Sequence, residues 1–404
     1  MKKYIHMTFL LLLLTAISGV WLRAFGLWPS TTMPYDNVLH AHSHLALIGW
    51  LFIAAFLIFL LFYKEDFQHK IHPKLILMTL IVTSLFMFLA FLYQGYGILS
   101  VALSTLHIFV EYWAVVYVWL NIRNRKMPGV AKLFIIGGLI ANVVSSIGPY
   151  TLAYLSATKQ THLALFDVAI YFYLHFQYNG WLTMFLIGMF ILFLDKMQIS
   201  VNKRLIKYSF WIYFVALFPG FMISALWVGL GPVLEVVASI ASIGQWVAVI
   251  MFLVASNQGF KQLYVRLPRL SFFTLVFALF LFIVKSTMEL GLISPTLADL
   301  VNNTRDVIIG YLHLTLLGFL TLFVLFMFQK LGVIQKGRFS IISFIIFTVG
   351  FLLNELLLFL NVLGDWTNWY RIPAYPELLF VAAITLFVGV IMIWLNVNWA
   401  EKKG

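Results

Sequence analysis

The sequence predicts an all-α polytopic membrane protein with about 12 transmembrane helices. Hydrophobic residues make up 63% of the 404 positions and charged residues only 10%, a composition that excludes an ordinary soluble domain. The apolar runs are about 20 residues or longer, the length that an α-helix needs to cross roughly 30 Å of hydrocarbon. The third observation is that every second loop between these runs is basic.

The apolar runs define twelve predicted spans in a single transmembrane domain, residues 1–404. The loops between the runs are too short to form further domains. The N-terminal run is interpreted as a retained first span, because bulky and basic residues stand where a signal peptide would have a small-residue cleavage site. The predicted spans cover residues 4–26, 39–63, 73–95, 97–121, 131–156, 164–194, 206–229, 233–255, 270–294, 306–329, 339–361 and 376–399.

Basic residues are concentrated in alternate loops and near both ends of the chain. By the positive-inside rule, both termini are expected in the cytoplasm, with the protein in a bacterial-type cytoplasmic membrane. The net charge of +12 therefore reflects topology, and the expected partner is a lipid bilayer and not nucleic acid. The basic segments are Lys2 to Lys3, Lys64 to Lys74, Arg123 to Lys132, Lys196 to Lys207, Lys261 to Arg269, Lys330 to Arg338 and Lys402 to Lys403.

One histidine recurs at an equivalent position in three spans. His44, His175 and His313 begin the segments HLALIGWLF, HFQYNGWLTMF and HLTLLGFLTLF. In each segment a glycine stands five residues after the histidine, and an aromatic residue follows the glycine directly. The intervals are each about a third of the chain, which predicts three consecutive pseudo-repeated four-helix arcs. The arcs cover approximately residues 1–126, 127–262 and 263–404.

Three histidines stand close together in the second span. A polar ring in hydrocarbon is costly without a partner, so intramembrane ionisable residues are functional candidates. His40 and His44 are four residues apart and share a helix face, whereas His42 points roughly 160° away from His44. The helix therefore serves two sites on opposite flanks, or only one ring is a ligand and the others cap the outer end of the span. Because the chain has no cysteine, a metal or haem must be held by His, Met, Tyr or carboxylates.

Two further pairs of ionisable residues lie four positions apart inside spans. His107 and Glu111 in the fourth span suit a metal pair or a proton relay, or equally a hydrogen bond that holds two helices together. Lys285 and Glu289 in the ninth span are expected to form an ion pair in which the two charges cancel each other. The alternative is that they belong to a proton path.

The sixth span has an unusually polar patch formed by His175, Gln177, Tyr178 and Asn179. Such a patch suits a second metal, a quinone or a polar pocket for gas reduction. The alternative is a satisfied polar network between helices.

The predicted topology resembles that of the catalytic subunit of the haem–copper oxidase and nitric oxide reductase superfamily, of the cytochrome c oxidase subunit I type. That subunit also has twelve spans, cytoplasmic termini and three four-helix arcs. The segment His42-Ser-His44-Leu-Ala-Leu-Ile-Gly49 is similar to the HxHxAxxG segment that ligates two haems in nitric oxide reductases, where it lies on the tenth helix. The segment HIFVE from His107 to Glu111 is similar to the HLWVE segment at their non-haem metal. The chain also resembles the twelve-span haem–copper membrane proteins of nitrosative stress.

The resemblance implies haem b bound by His44, or by its neighbour His42, together with His313 of the tenth span. It also implies a second centre with copper or non-haem iron, for which the metal ligands are His107 and His175. The implied catalytic residues are His175, Tyr178 and Glu111. The reaction implied is electron transfer with reduction of nitric oxide or oxygen, with electrons from a quinol or from a separate cytochrome subunit.

The sequence departs from the family at two spans. The tenth span has one histidine where the family has two, and the seventh span has none where the family has adjacent copper ligands. A non-catalytic haem- or metal-binding stress-response or assembly protein is therefore the alternative function. A transporter that uses histidine protonation is the third class, but transporters usually have two inverted repeats and helices broken near the midplane. Pro219-Gly220 is the only obvious break of that kind in the sequence.

Overall fold

The computed structural model describes residues 1–30, 32–63, 73–368 and 370–398. Within these residues, twelve helices are long and apolar enough to cross a membrane, which confirms the predicted all-α polytopic membrane fold. Most of the basic loop from Lys64 to Lys74, and Lys402 to Lys403, lie outside the described residues. The helices are α1 Lys2–Phe25, α2 Tyr35–Phe62, α3 Pro73–Gln94, α4 Ile98–Ile122, α5 Gly129–Ala157, α6 Ala164–Lys196, α7 Lys203–Val228, α8 Pro232–Arg266, α9 Arg269–Gly291, α10 Arg305–Lys330, α11 Arg338–Thr367 and α12 Tyr375–Leu395.

The helices differ in how much of their surface is covered by protein. In α6 every residue of the most apolar 18-residue stretch is buried, whereas only 28% of the corresponding stretch of α12 is buried. A helix that is apolar on all sides is stable either in a protein core or against lipid. The helix that carries His175 and the polar patch is therefore a core helix, while α12 has a largely lipid-facing surface.

The chain packs into two compact units. The first comprises Met1–Asn121 and Leu316–Gly404, and the second comprises Ile122–Thr315. The first unit thus contains α1 to α4, the second half of α10, and α11 and α12. The second contains α5 to α9 and the first half of α10. The arrangement in three four-helix arcs stays a prediction.

A π-helical segment interrupts each of the three helices that contain the repeated histidine. The segments are Leu45–Leu51 in α2, Phe176–Leu182 in α6 and His313–Thr321 in α10. They coincide with the His–Gly motif in all three helices. Each motif therefore marks the same local change of backbone, and π-turns inside α-helices are frequent at functional sites.

The π-helical segments leave backbone carbonyl groups for side chains to bind. A π-helix pairs each N–H group with the carbonyl five residues back instead of four. The hydroxyl of Thr183 donates to the carbonyl of Tyr178 at 2.6 Å, and the hydroxyl of Thr321 donates to that of Leu316 at 2.8 Å. These two pairs occupy equivalent positions after His175 and His313, so the repeat extends beyond the histidine and glycine.

Candidate functional site

The predicted site residues are divided between the two packing units. The first unit contains His42, His44, His107 and Glu111, and the second contains His175, Tyr178 and His313.

The ring of His42 is held by α1. Its Nδ1 lies 2.9 Å from the carbonyl oxygen of Thr15 and 3.1 Å from the hydroxyl oxygen of Ser18. A carbonyl oxygen only accepts hydrogen bonds, and the Ser18 hydroxyl already donates to the carbonyls of Leu14 and Thr15. These contacts assign the proton of a neutral ring to Nδ1 and the lone pair to Nε2. A Cβ atom on Gly19 would lie 3.2 Å from Cε1 of His42, so the glycine allows α1 to approach the ring.

His44 lies on the opposite flank of α2. Its Nε2 is 3.1 Å from the hydroxyl of Tyr96, and its ring stacks on Phe91 with centroids 4.5 Å apart. His40 packs edge-on against the same Tyr96 at 4.4 Å. His42 therefore contacts α1 while His44 contacts α3 and the loop after it. The spacing of two residues on a helix predicts that the rings of His42 and His44 point in nearly opposite directions, as they do here. The two rings therefore have separate environments.

His107 and Glu111 form a buried pair in α4. Their side chains are 0% and 4% exposed, and Nε2 of His107 lies 3.5 Å from Oε1 of Glu111. Nδ1 of His107 lies 2.7 Å from the hydroxyl of Thr83, which itself donates to the carbonyls of Thr79 and Leu80. Nδ1 therefore donates to Thr83, and Nε2 faces the carboxyl group. In the described part of the chain, no group of three His, Asp or Glu side chains has metal-binding geometry.

A second polar site, which we call the Asn179 cluster, lies inside the second unit. It consists of His175, Asn179, Lys285, Glu289 and Tyr311. The side-chain nitrogen of Asn179 donates to Oε1 of Glu289 at 2.9 Å and contacts Nδ1 of His175 at 3.2 Å. Its oxygen accepts from the ammonium group of Lys285. Because an ammonium group only donates, this contact fixes the orientation of the amide.

Lys285 and Glu289 form the predicted ion pair. The ammonium nitrogen lies 3.0 Å from Oε1 of Glu289, and the two side chains are 1% and 14% exposed. The hydroxyl of Tyr311 donates to the same oxygen at 2.6 Å. Burial of two charges costs several kcal/mol per ion unless further hydrogen bonds satisfy them. Asn179 and Tyr311 supply those bonds.

Both ring nitrogens of His175 are hydrogen-bonded. Nε2 donates to the carbonyl of Leu217 at 2.9 Å, and Nδ1 accepts from Asn179. The carbonyl of Leu217 is available because α7 changes from an α-helix to a 3₁₀-helix at Phe221, directly after Pro219 and Gly220. The break at Pro219-Gly220 thus provides the carbonyl group that holds the ring of His175.

Tyrosine side chains surround the Asn179 cluster. The ring of Tyr178 is 5.9 Å from that of Tyr311, and the Lys285 ammonium lies 5.6 Å from the centroid of the Tyr178 ring. The hydroxyl of Tyr213 donates to the backbone carbonyl of Asn179 at 3.0 Å. Tyr178 therefore belongs to the ion-pair environment, where its ring faces a cation.

His313 is half-buried and begins the π-helical segment of α10. Sequence reasoning did not find Thr15, Tyr96, Tyr213 or Tyr311, which the structure brings to the predicted residues. Only Tyr311 offered a signal, because it lies two positions before His313 on the same helix. The others are hydrogen-bond partners from distant parts of the chain.

Comparison with known proteins assigns no family to the chain. No protein-family model matches it, and no curated protein matches it. Its function must therefore be inferred from the chemistry of its own sites.

Proposed function

We propose that the protein is a membrane haem protein of the cytochrome oxidase subunit I type, which transfers electrons. The observation that supports this proposal is the contact of 2.9 Å between Nδ1 of His42 and the carbonyl oxygen of Thr15. Histidines that bind metals usually donate their other ring N–H to a carbonyl or carboxylate, which fixes the ring and makes the ligating nitrogen more basic. His42 has this arrangement, with Nδ1 on the Thr15 carbonyl and Nε2 left for a ligand.

In this proposal His42 supplies an axial ligand for haem b. His44, on the opposite flank of α2, and His313 in α10 are the further axial candidates. A neutral imidazole is the usual protein ligand of haem iron, and all three rings lie in helices that contain a π-helical segment. A bound haem would supply reversible one-electron chemistry. The carbonyl of Thr15 holds the ring of His42 in the tautomer and orientation that this ligation requires.

Reduction of nitric oxide or oxygen would also need protons. His107 and Glu111 are able to hold one proton between them, because Nε2 and the carboxyl oxygen face each other in a buried position. We assign this pair the role of proton donor, or of ligands for copper or non-haem iron. The two hydrogen bonds of His175 favour a positioning role for this residue over metal ligation, with Tyr178 beside it. The proposed electron donor is a quinol or a separate cytochrome subunit.

The same hydrogen bonds of His175 support a second candidate function. If His175 is a positioning residue, the chain offers fewer ligands for a second metal. The alternative is then a haem- or metal-binding membrane protein without turnover, in a stress response or in assembly. The two candidates share the haem site on α2 and differ in whether gas is consumed.

The haem proposal is tested with the full-length protein purified from cells that are supplied with haem. We expect a low-spin haem b spectrum in the wild type, loss of most of the haem in His42→Ala, and retention in the matched control His40→Ala. Replacement of His44 or His313 then identifies the other ligands. Wild-type protein without haem, or His42→Ala with the wild-type spectrum, would refute the proposal.

A gas-consumption assay separates the two candidate functions. The haem-containing protein is mixed with a reduced quinol, and the loss of nitric oxide or oxygen is followed with electrodes. Consumption that disappears in Glu111→Gln, while the haem spectrum is kept, supports the enzyme. Haem without consumption of either gas supports the binding protein.

A further inference from the structure

We propose that the Asn179 cluster is a proton-exchange site, in which Glu289 binds and releases one proton inside the membrane while Lys285 stays charged. The ligand of this site is a proton delivered from water. The inference does not depend on haem, because every residue that it uses lies in the second unit and none is a proposed axial ligand.

Lys285 has partners that remain when Glu289 is neutral. Its ammonium group donates to the side-chain oxygen of Asn179 and faces the ring of Tyr178 at 5.6 Å. A desolvated cation over an aromatic face is stabilised by the negative charge density of the ring. In a simple ion pair, the carboxylate would be the only partner of the ammonium group. Here the cation has its own neutral acceptor and aromatic ring, so protonation of Glu289 does not leave it uncompensated.

Glu289 is the accessible member of the pair. Its side chain is 14% exposed, whereas that of Lys285 is 1% exposed. Tyr311 and Asn179 both donate to its Oε1, and Oε2 contacts only Lys285 among the described bonds, at 3.1 Å. Proton uptake places the proton on Oε2 and breaks no covalent bond in the protein. The donor is a hydronium ion, which becomes water, and release reverses the step.

The groups around Glu289 are otherwise neutral. From α6 the cluster receives His175 and Tyr178, from α7 Tyr213, and from α10 Tyr311, and α8 places the neutral Gln245 near Gly220 and His175. On its own helix the facing charge is Lys285. His175 is neutral, since one nitrogen donates to a carbonyl and the other accepts from an amide. The net charge of the cluster therefore changes from zero to +1 when Glu289 binds a proton.

A buried pair with no other role would be an inefficient way to stabilise the bundle. Replacing a buried ion pair by packed apolar residues is often neutral or stabilising. Charged residues within membrane spans are rare and usually mark ion or proton pathways. The four extra contacts that Asn179, Tyr178 and Tyr311 make with the pair are those needed to support two protonation states.

The proposal is tested by infrared difference spectroscopy of the full-length protein in lipid nanodiscs, titrated from high to low pH. We expect a carboxylic acid C=O band that grows as the pH falls, shifts in heavy water and is lost in Glu289→Gln. Glu355→Gln, which removes another acid of the transmembrane region, should retain this band. Lys285→Met should move its appearance to higher pH, since an adjacent cation favours the carboxylate.

Two further variants keep the test decisive. If Glu289→Gln does not fold, Glu289→Asp should shift the frequency of the band, because the acid and its hydrogen bonds change. His42→Ala should leave the band unchanged, so failure of the haem proposal does not affect this one. A band that persists in Glu289→Gln, or a band that Lys285→Met does not move, would overturn the proposal.

Discussion

The Nδ1 atom of His42 in α2 lies 2.9 Å from the carbonyl oxygen of Thr15 in α1. This hydrogen bond couples the position of α1 to the orientation of the ring. Because the acceptor is a backbone atom, no side-chain substitution at Thr15 removes it. A substitution within α1 therefore changes the bond only by moving α1 relative to the ring.

Gly19→Ala is expected to change the proposed haem site without unfolding the protein. The new Cβ would lie 3.2 Å from Cε1 of His42, which requires the ring or α1 to move by a few tenths of an ångström. We expect weaker haem binding or a shifted spectrum, with a stability loss of about 1 kcal/mol. Haem titration and thermal unfolding measure both. The control Gly26→Ala meets only an ordinary contact at 3.5 Å and should behave like the wild type.

Glu289→Ala is expected to destabilise the protein strongly. It removes the acceptor of Tyr311 and Asn179, whose buried donors are left unpaired, and it removes one of the three partners of the Lys285 ammonium group. Each buried polar group that loses its partner costs about 1–3 kcal/mol. Adding Lys285→Met should restore part of this loss, because the two residues are in contact and their effects are not additive. Unfolding measurements that give a purely additive double variant would contradict the ion-pair interpretation.

Gly389→Ala is expected to separate α11 and α12. A Cβ at this position would lie 2.6 Å from backbone atoms of Phe347, and the reciprocal Gly350 would meet the backbone of Leu386 at 2.5 Å. Backbone atoms cannot move aside as a flexible side chain can, so we expect a loss of about 1–3 kcal/mol or more. Thermal unfolding in detergent gives the value. Gly129→Ala, with nothing within 4 Å, is the matched control.

The orientation in the membrane is testable because the chain contains no cysteine. We predict that the loop with Ser200 is cytoplasmic and that the loop with Thr161 is on the outer side, since basic segments mark the cytoplasmic loops. A membrane-impermeant maleimide should label Thr161→Cys in intact cells and Ser200→Cys only after lysis. The reverse pattern would invert the topology.

The sequence predicts the spans well because hydropathy reports which segments can enter a membrane, but it does not report where a helix ends. The eighth span is predicted to end at residue 255, whereas α8 continues to Arg266. Its last turns are polar and are joined to the loop between α6 and α7 by a bond from Arg266 to the carbonyl of Met197. Helix ends outside the hydrocarbon are set by such contacts.

The candidate sites are predictable to the extent that they depend on one helix. The opposite directions of His42 and His44, and the pairing of Lys285 with Glu289, follow from the rotation of about 100° per residue. The bonds of His42 with α1 and of His175 with Leu217 depend on tertiary packing. They show that both ring nitrogens of His175 are hydrogen-bonded, which its sequence position alone did not indicate.

The three π-helical segments also determine where these helices tolerate a change in length. A π-turn contains one residue more than an α-turn, so deleting one residue within Leu45–Leu51 or Phe176–Leu182 would leave a continuous α-helix with the flanking side chains in their original register. The same deletion in a regular α-helix would rotate everything beyond it by about 100°. Such shortened helices should still fold, but the carbonyl groups that now accept from Thr183 and Tyr213 would return to the helix backbone. The extra residue of the π-turn is therefore not needed for folding, but it is needed for the side-chain hydrogen bonds to the freed carbonyl groups.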